Sequence, residues 1–383
     1  MRIQLVYMII ISALLTGCGN PGNQQGRGVG ERTDTIAGNS HAEKFKLEIH
    51  DGYTLATVFS PWQNAGDTRF RYVLADQETG IPDSLSEYPV IHTPVSSTIL
   101  MSTTFISFLD TLGRLSTVEG VSGGQNIFDP ELYHRYVSGE IRDVGFDQAI
   151  NFELLVEMQP DVVFMFGVQS GIVQSVNKLR NAGIEVVLCA DYLEPHPLGR
   201  AEWIRFFSAF SNQEAEAEKI FEGIAMRYDS ISGIQQEHPG SPKVMLGLPW
   251  KDAWYVAGAE SYAARLIRDA GGAYVFSDHD HAEAKPFDIE SVFARAMEAD
   301  IWINPGSAGN LEMITSHDQR FEKLNVFRNG RIYNNNKRIG PGGGNDYWES
   351  GALRPDRILE DLSAIFHDTV PADSVLFYYT RLQ

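Results

Sequence analysis

Residues 151–167, "NFELLVEMQPDVVFMFG", and 288–306, "DIESVFARAMEADIWINPG", read as one element written twice. Each opens on Asn or Asp, carries a Glu two places later, runs through a short apolar stripe, and reaches Asp before a buried strand. Asn and Asp are strong helix N-caps, and an acidic residue in the first turn complements the helix dipole. Between the copies, 212–236 reads as a single long helix, with Ile220, Ile224, Tyr228 and Ile231 at helical spacing. At 1.5 Å per residue it would span roughly 37 Å. A unit repeated on either side of one long helix predicts two lobes joined by that helix.

The lobes themselves read as alternating strands and helices. From Tyr88, "YPVIHTPV" is a short apolar strand, and "SSTILMSTTFISFLDTLGRL" reads as a helix capped by Ser96 or Ser97 and stopped near Gly113. The strands "VEGVSG", "DVVFMFG" and "IEVVLCA" follow, separated by helices. A second set begins at "KVMLGLPW" and closes on a helix from about Pro355 to His367. Strands that are apolar throughout belong in parallel sheets covered on both faces. The expected fold class is α/β: two lobes, each a mostly parallel sheet with helices on both faces, joined by one long helix. A small antiparallel hairpin unit precedes them, since "KFKLEIHDGYTLATVF" alternates around Asp51-Gly52 and "TRFRYVLA" supplies a third strand.

The amino terminus has a different character. Arg2 precedes a nearly unbroken apolar run, Val6 to Leu15, which is too short for the ~20 residues of a membrane span. Leu15-Thr16-Gly17-Cys18 then resembles a bacterial lipobox, with an ordinary secretory leader and an incidental cysteine as the alternative. Cys18 is the expected lipidation site. The other cysteine, Cys189, sits in an apolar strand, so no disulfide is expected. Residues 19–40 are Gly-rich and polar and read as a spacer. The formal charge is −19, and loss of Arg2 with the leader would make it one unit more negative. So acidic a surface disfavours nucleic acid and bare anionic lipid as partners. The expected organisation is signal peptide 1–17, lipidated linker 18–42, hairpin extension 43–87, N-terminal lobe 88–210, linking helix 211–237 and C-terminal lobe 238–383.

Taken in order, "VGFDQAINFELLVEMQPDVVFM", "SYAARLIRDAGG" and "FDIESVFARAMEADIWI" around a long helix resemble the periplasmic binding proteins of ABC importers for cobalamin, ferric siderophores and haem. The resemblance covers roughly residues 88–367. It implies an exported protein, periplasmic and held at the membrane by lipid on Cys18, with an ABC permease and a metal chelate as partners, no resident cofactor or metal, and no catalysis. It also implies that Glu153 and Glu290, at matching helix starts, dock on permease arginines. Loops at the carboxyl ends of the strands are where α/β sheets place ligands. There Trp250, Trp254, Tyr255, Tyr347 and Trp348 are candidate ligand contacts by stacking and area burial, with Lys251 as a candidate charge contact. A lipid-anchored α/β enzyme is the alternative, although no G-x-S-x-G, H-E-x-x-H or Cys–His signature is present. "SDHDHAEAK" holds His279 and His281, which read as solvated loop residues, and "GPGGGN" reads as a flexible loop near the cleft.

Overall fold

The structure is a computed structural model that describes residues 35–146, 149–235, 240–251, 253–369 and 376–383. The leader, Cys18 and most of the spacer lie outside the described residues. Among the described residues no helix is long and apolar enough to cross a membrane.

Five strands make the first sheet: β1 (Thr35–Ala37), β2 (Phe45–Ile49), β3 (Tyr53–Phe59), β4 (Arg69–Ala75) and β5 (Val90–His92). They pair in chain order, antiparallel except for the parallel β4–β5 pair. Asp51-Gly52 makes the hairpin turn, with Gly52 at φ +89°. The "YPVIHTPV" strand, expected to open the N-terminal lobe, instead closes this sheet as β5. The sheet is sewn into the body. Phe45 packs edge-on to Trp203 and Phe206, and the Tyr72 hydroxyl accepts from the Leu188 amide at 2.9 Å. Two buried carboxylates grip the chain just before β2. Glu202 accepts the amides of Ser40, His41 and Ala42 at 2.7–2.8 Å, and Glu194 those of Glu43 and Lys44 at 2.9 Å.

The N-terminal lobe contains β6 (Thr98–Leu100), β7 (Val118–Val121), β8 (Arg142–Asp143), β9 (Val162–Met165) and β10 (Val186–Leu188). Their order is β10-β9-β6-β7-β8, all parallel. The central strand β6 lies inside the stretch read as a helix. The helix proper is Ile106–Thr111, after a turn at Thr103–Phe105. Ser96 and Ser97 therefore cap no helix; they bond to Asp161 instead. Asp161 Oδ2 accepts the amides of Ser96 and Ser97 at 2.6 and 3.0 Å.

The C-terminal lobe repeats the plan. β11 (Lys243–Leu246), β13 (Ala273–Tyr274), β15 (Ile301–Ile303), β16 (Ile332–Asn334) and β17 (Thr380–Arg381) run in the order β13-β11-β15-β16-β17, parallel except for β17. A separate antiparallel pair joins β12 (Trp254–Val256) to β14 (Lys285–Phe287). Asp300 Oδ2 takes the Lys243 amide at 2.8 Å, the counterpart of the Asp161 contact. The Asp shared by the two sequence copies thus pins the start of the first strand in each parallel sheet.

The linking helix is Glu214–Gln235, 22 residues. Its buried face carries Ala217, Phe221, Ile224 and Tyr228, with Ile220 and Ile231 at the margin. Tyr228 donates to Asp269 of the C-terminal lobe at 2.7 Å. The lobes also meet directly. The hairpin around "GPGGGN" closes through Gly340 N to Gly344 O at 2.7 Å and lies against the backbone of residues 125–128. A Cβ at Gly342 would stand 2.3 Å from the Gln125 carbonyl, and one at Gly344 2.2 Å from that of Asn126. Only glycine permits so close an approach. The loop expected to be flexible is a packed seam. Beside it, the buried Glu349 accepts the amides of Phe128 and Asp129 at 2.7 and 2.9 Å.

Candidate functional site

Both parallel sheets reverse strand order, between β6 and β9 in one lobe and between β11 and β15 in the other. Such reversals open a crevice at the carboxyl ends of the strands. A cavity opens at the carboxyl edge of each sheet, at the reversal itself in the N-terminal lobe and beside it, past β15 and β16, in the C-terminal lobe. In the N-terminal lobe it is about 550 Å³, with Met101 following β6, Met165 and Phe166 at the end of β9, and Phe146, Ile150 and Val168 around them. In the C-terminal lobe it is about 450 Å³, with Asn304 following β15, Asn335 and Asn336 following β16, and Asn345, Ile339 and Trp348 from the seam. The turn Thr103–Phe105, two residues beyond Met101, packs on the short helix Asp346–Glu349 that carries Trp348. The two cavities therefore flank one inter-lobe contact.

The aromatic candidates divide sharply. β12 alternates buried, exposed, buried. Trp254, 1% exposed, packs on Trp302 and Phe321 and donates its indole N–H to the Leu246 carbonyl at 3.2 Å. It is core, which corrects its reading as a ligand contact. Tyr255, the next residue on a two-residue repeat, is 50% exposed. Trp250 is 59% exposed at a tight turn, 6.2 Å from the Tyr255 ring, and Lys251 lays its ammonium 4.2 Å above the Trp250 ring. Tyr347 is 6% exposed and stacked edge-on among Trp348, Tyr378 and Tyr379. It lies beneath the wall, not on it, and this too corrects the reading. Trp348, 54% exposed, lines the C-terminal cavity.

Sequence reasoning missed the asparagines and the thioethers. Asn334 is structural: its amide nitrogen donates to Gly306 and Ala308 carbonyls at 3.0 and 2.8 Å. Asn335 and Asn336 are the next two residues and face the cavity. A run of three asparagines directly after an apolar strand was the available signal. It looks like turn composition, which hides it.

Glu153 is an exposed first-turn residue of the helix Phe152–Met158, which is capped by Asn151 accepting from Leu154 N at 3.1 Å. Glu290 occupies the same place in Ile289–Ala296, capped by Asp288 accepting from Ser291 N at 2.8 Å. A helix leading into a parallel strand runs back across the sheet, so its N-terminus lies at the carboxyl edge. Both glutamates therefore stand on the edge that carries the cavities. They differ in one respect. Glu290 pairs with Arg320 at 2.7 Å, and Arg320 is also held by Asp318 at 2.6 Å. His279 lies 3.7 Å from Asp278, which Arg295 engages, and among the described residues no cluster of metal-ligating side chains occurs.

Paired cavities at the carboxyl edges of two similar lobes joined by a helix have the architecture of a two-lobed solute binder. The sequence pattern of the periplasmic binding proteins matches residues 116–338, and the chain belongs to that family, one of binding proteins and not of enzymes. An uncharacterised lipoprotein of Methanocaldococcus jannaschii is 28% identical over 311 residues, covering 78% of this chain and 72% of its own. Among solved structures, a periplasmic haem-binding protein from Pseudomonas aeruginosa superposes with a TM-score of 0.55 at 16% identity, over 72% of this chain and 94% of its own. A periplasmic vitamin B12-binding protein of Vibrio cholerae gives 0.51 at 14%, over 72% and 98%. At these identities the structures speak for the fold.

Proposed function

We propose that this protein captures a metal chelate between its lobes and delivers it to an ABC permease, on which Glu153 and Glu290 dock. The supporting observation is positional: two cavities and two matching helix-start glutamates share the carboxyl edges of the two sheets. Docking through one residue per lobe would set the cleft over the pore. Glu290 enters that contact already paired to Arg320, so a permease arginine must compete for it, whereas Glu153 has no such partner among the described residues. A lipid chain on Cys18 would confine the body near the permease and raise its effective concentration there. Cys18→Ser, which should leave the chain in the aqueous phase, tests the anchor.

The decisive experiment pairs uptake in cells with ligand titration of purified protein. Glu153→Arg with Glu290→Arg should abolish uptake, because like charges then face each other across the contact. Affinity for the chelate should stay within about twofold. Normal uptake by the double variant would refute docking. Lost chelate binding would place these residues in the cleft or the fold.

A further inference from the structure

The two helix-start glutamates stand in unlike surroundings. Glu153 has Glu157 one turn further along the same helix, and both are exposed. Lys178 lays its ammonium 3.6 Å over the ring of the neighbouring Phe152, and among the described residues neither glutamate forms an ion pair.

Glu290 meets an arginine of its own lobe. Arg320 Nη1 donates to Glu290 Oε1 at 2.7 Å. The guanidinium does not depend on that bond for its place. Asp318 accepts from its Nε at 3.0 Å and from its Nη2 at 2.6 Å, and caps the turn Gln319–Lys323 by accepting from the Arg320 amide at 2.9 Å. A second support is Phe293, one turn along the helix from Glu290, whose ring centroid lies 5.5 Å from the guanidinium carbon. A fork fixed by a carboxylate and an aromatic face loses little freedom when it also pairs with Glu290. It offers there the group that a permease arginine would bring.

The pair is open to exchange. The side chain of Glu290 is 72% exposed and that of Arg320 42%, and ion pairs so placed are weak. An incoming guanidinium nonetheless meets a like charge, since Asp318 and Phe293 hold Arg320 beside Glu290 after their bond is broken. At Glu153 no paired arginine opposes it among the described residues, and Glu157 adds a second negative charge.

We propose that Arg320 is an internal stand-in for the permease's arginine, so that the N-terminal lobe docks first through Glu153 and the C-terminal lobe follows by exchange at Glu290. The proposal rests on the docking reading above and adds the order of the two contacts. A first contact converts the second into an intramolecular step at high effective concentration, where a weak exchange suffices. A basic surface that meets only the C-terminal lobe finds its glutamate taken, which disfavours wrong partners on that side.

The test has two arms. In the first, the purified full-length chain, with isotope-labelled glutamate carboxyl groups followed by NMR, is titrated at low salt with the peptide acetyl-Arg-Gly-Arg-amide. Glu153→Gln and Glu290→Gln assign the two signals. Glu153 should respond at peptide concentrations at least about threefold lower than Glu290, and Arg320→Gln should bring Glu290 to within about twofold of Glu153. Arg320→Met, which keeps the stem over Phe293, takes its place if thermal melting shows a loss of fold. Equal responses in the parent would overturn the proposal. So would a Glu290 response that is unchanged or weaker without Arg320, and a weaker one would make Arg320 a residue that positions Glu290 for its partner. In the second arm, uptake in cells, Glu153→Ala should cost at least about threefold more uptake than Glu290→Ala, and equal losses would overturn the order of contacts. Normal uptake by the variant with both glutamates reversed to arginine would remove the docking reading itself, and this proposal with it.

Discussion

Trp254 and Tyr255 are neighbours with opposite fates, and one rule separates them: successive strand residues point to opposite faces. Trp254→Ala removes a buried indole from contact with Trp302 and Phe321, so it should cost about 3–5 kcal/mol of stability. Its effect on ligand affinity should be small once the protein is folded. Trp250→Ala, Tyr255→Ala and Trp348→Ala should behave in the reverse way. Each should leave the melting temperature near the parent's, and a true ligand contact should lose roughly 1–3 kcal/mol of binding. Chemical denaturation alongside chelate titration separates the two groups. Full affinity in all three exposed variants would move the ligand elsewhere. In the sequence, aromatic content singled out this loop but did not say which ring faced out. Three residues of strand are too few for alternation to show.

At the scale of elements, the inter-lobe Glu349 makes the molecule pH-sensitive. Burial pushes its carboxyl up to about 8, against the pull of the Phe128 and Asp129 amides. The folded state thus holds a proton that the unfolded chain releases near its ordinary value of about 4.5. The stabilisation is complete below that value and is lost as the pH rises through about 8. Glu194, raised to about 7 by burial, acts in the same direction. The unfolding midpoint should fall between pH 5 and 9, and Glu349→Gln, which mimics the protonated form, should flatten that slope. A variant as pH-dependent as the parent would assign the effect to other groups. Elements of this kind were unevenly legible. Continuous apolar runs such as "DVVFMFG" announced the parallel strands, and the repeated Asn/Asp–x–Glu openings announced their helices. Thr98–Leu100 did not announce itself, because its three apolar-flanked residues merge with the helical spacing of Ile106–Thr111. Nor did Glu202 and Glu194, whose partners lie about 150–160 residues away in the chain.

Over the whole molecule, two features oppose large domain motion. The linking helix cannot bend without breaking backbone hydrogen bonds and the packing of Phe221 and Tyr228. The glycine hairpin meets the opposite lobe through its main chain, with the Tyr133 ring packed against Gly342, so the two surfaces fit too closely to slide. Small-angle scattering with and without saturating chelate should therefore give nearly the same radius of gyration, and a contraction of several ångströms would contradict this. The same hairpin has a consequence for how such a protein can diversify. Because the register of the lobes is fixed by peptide groups at Gly340, Gly342 and Gly344, the cleft's asparagines, thioethers and rings can be exchanged without moving one lobe against the other. The distance between Glu153 and Glu290 would survive such resurfacing. Cargo and carrier become separable traits: a lineage can retune what it carries while continuing to fit the same gate.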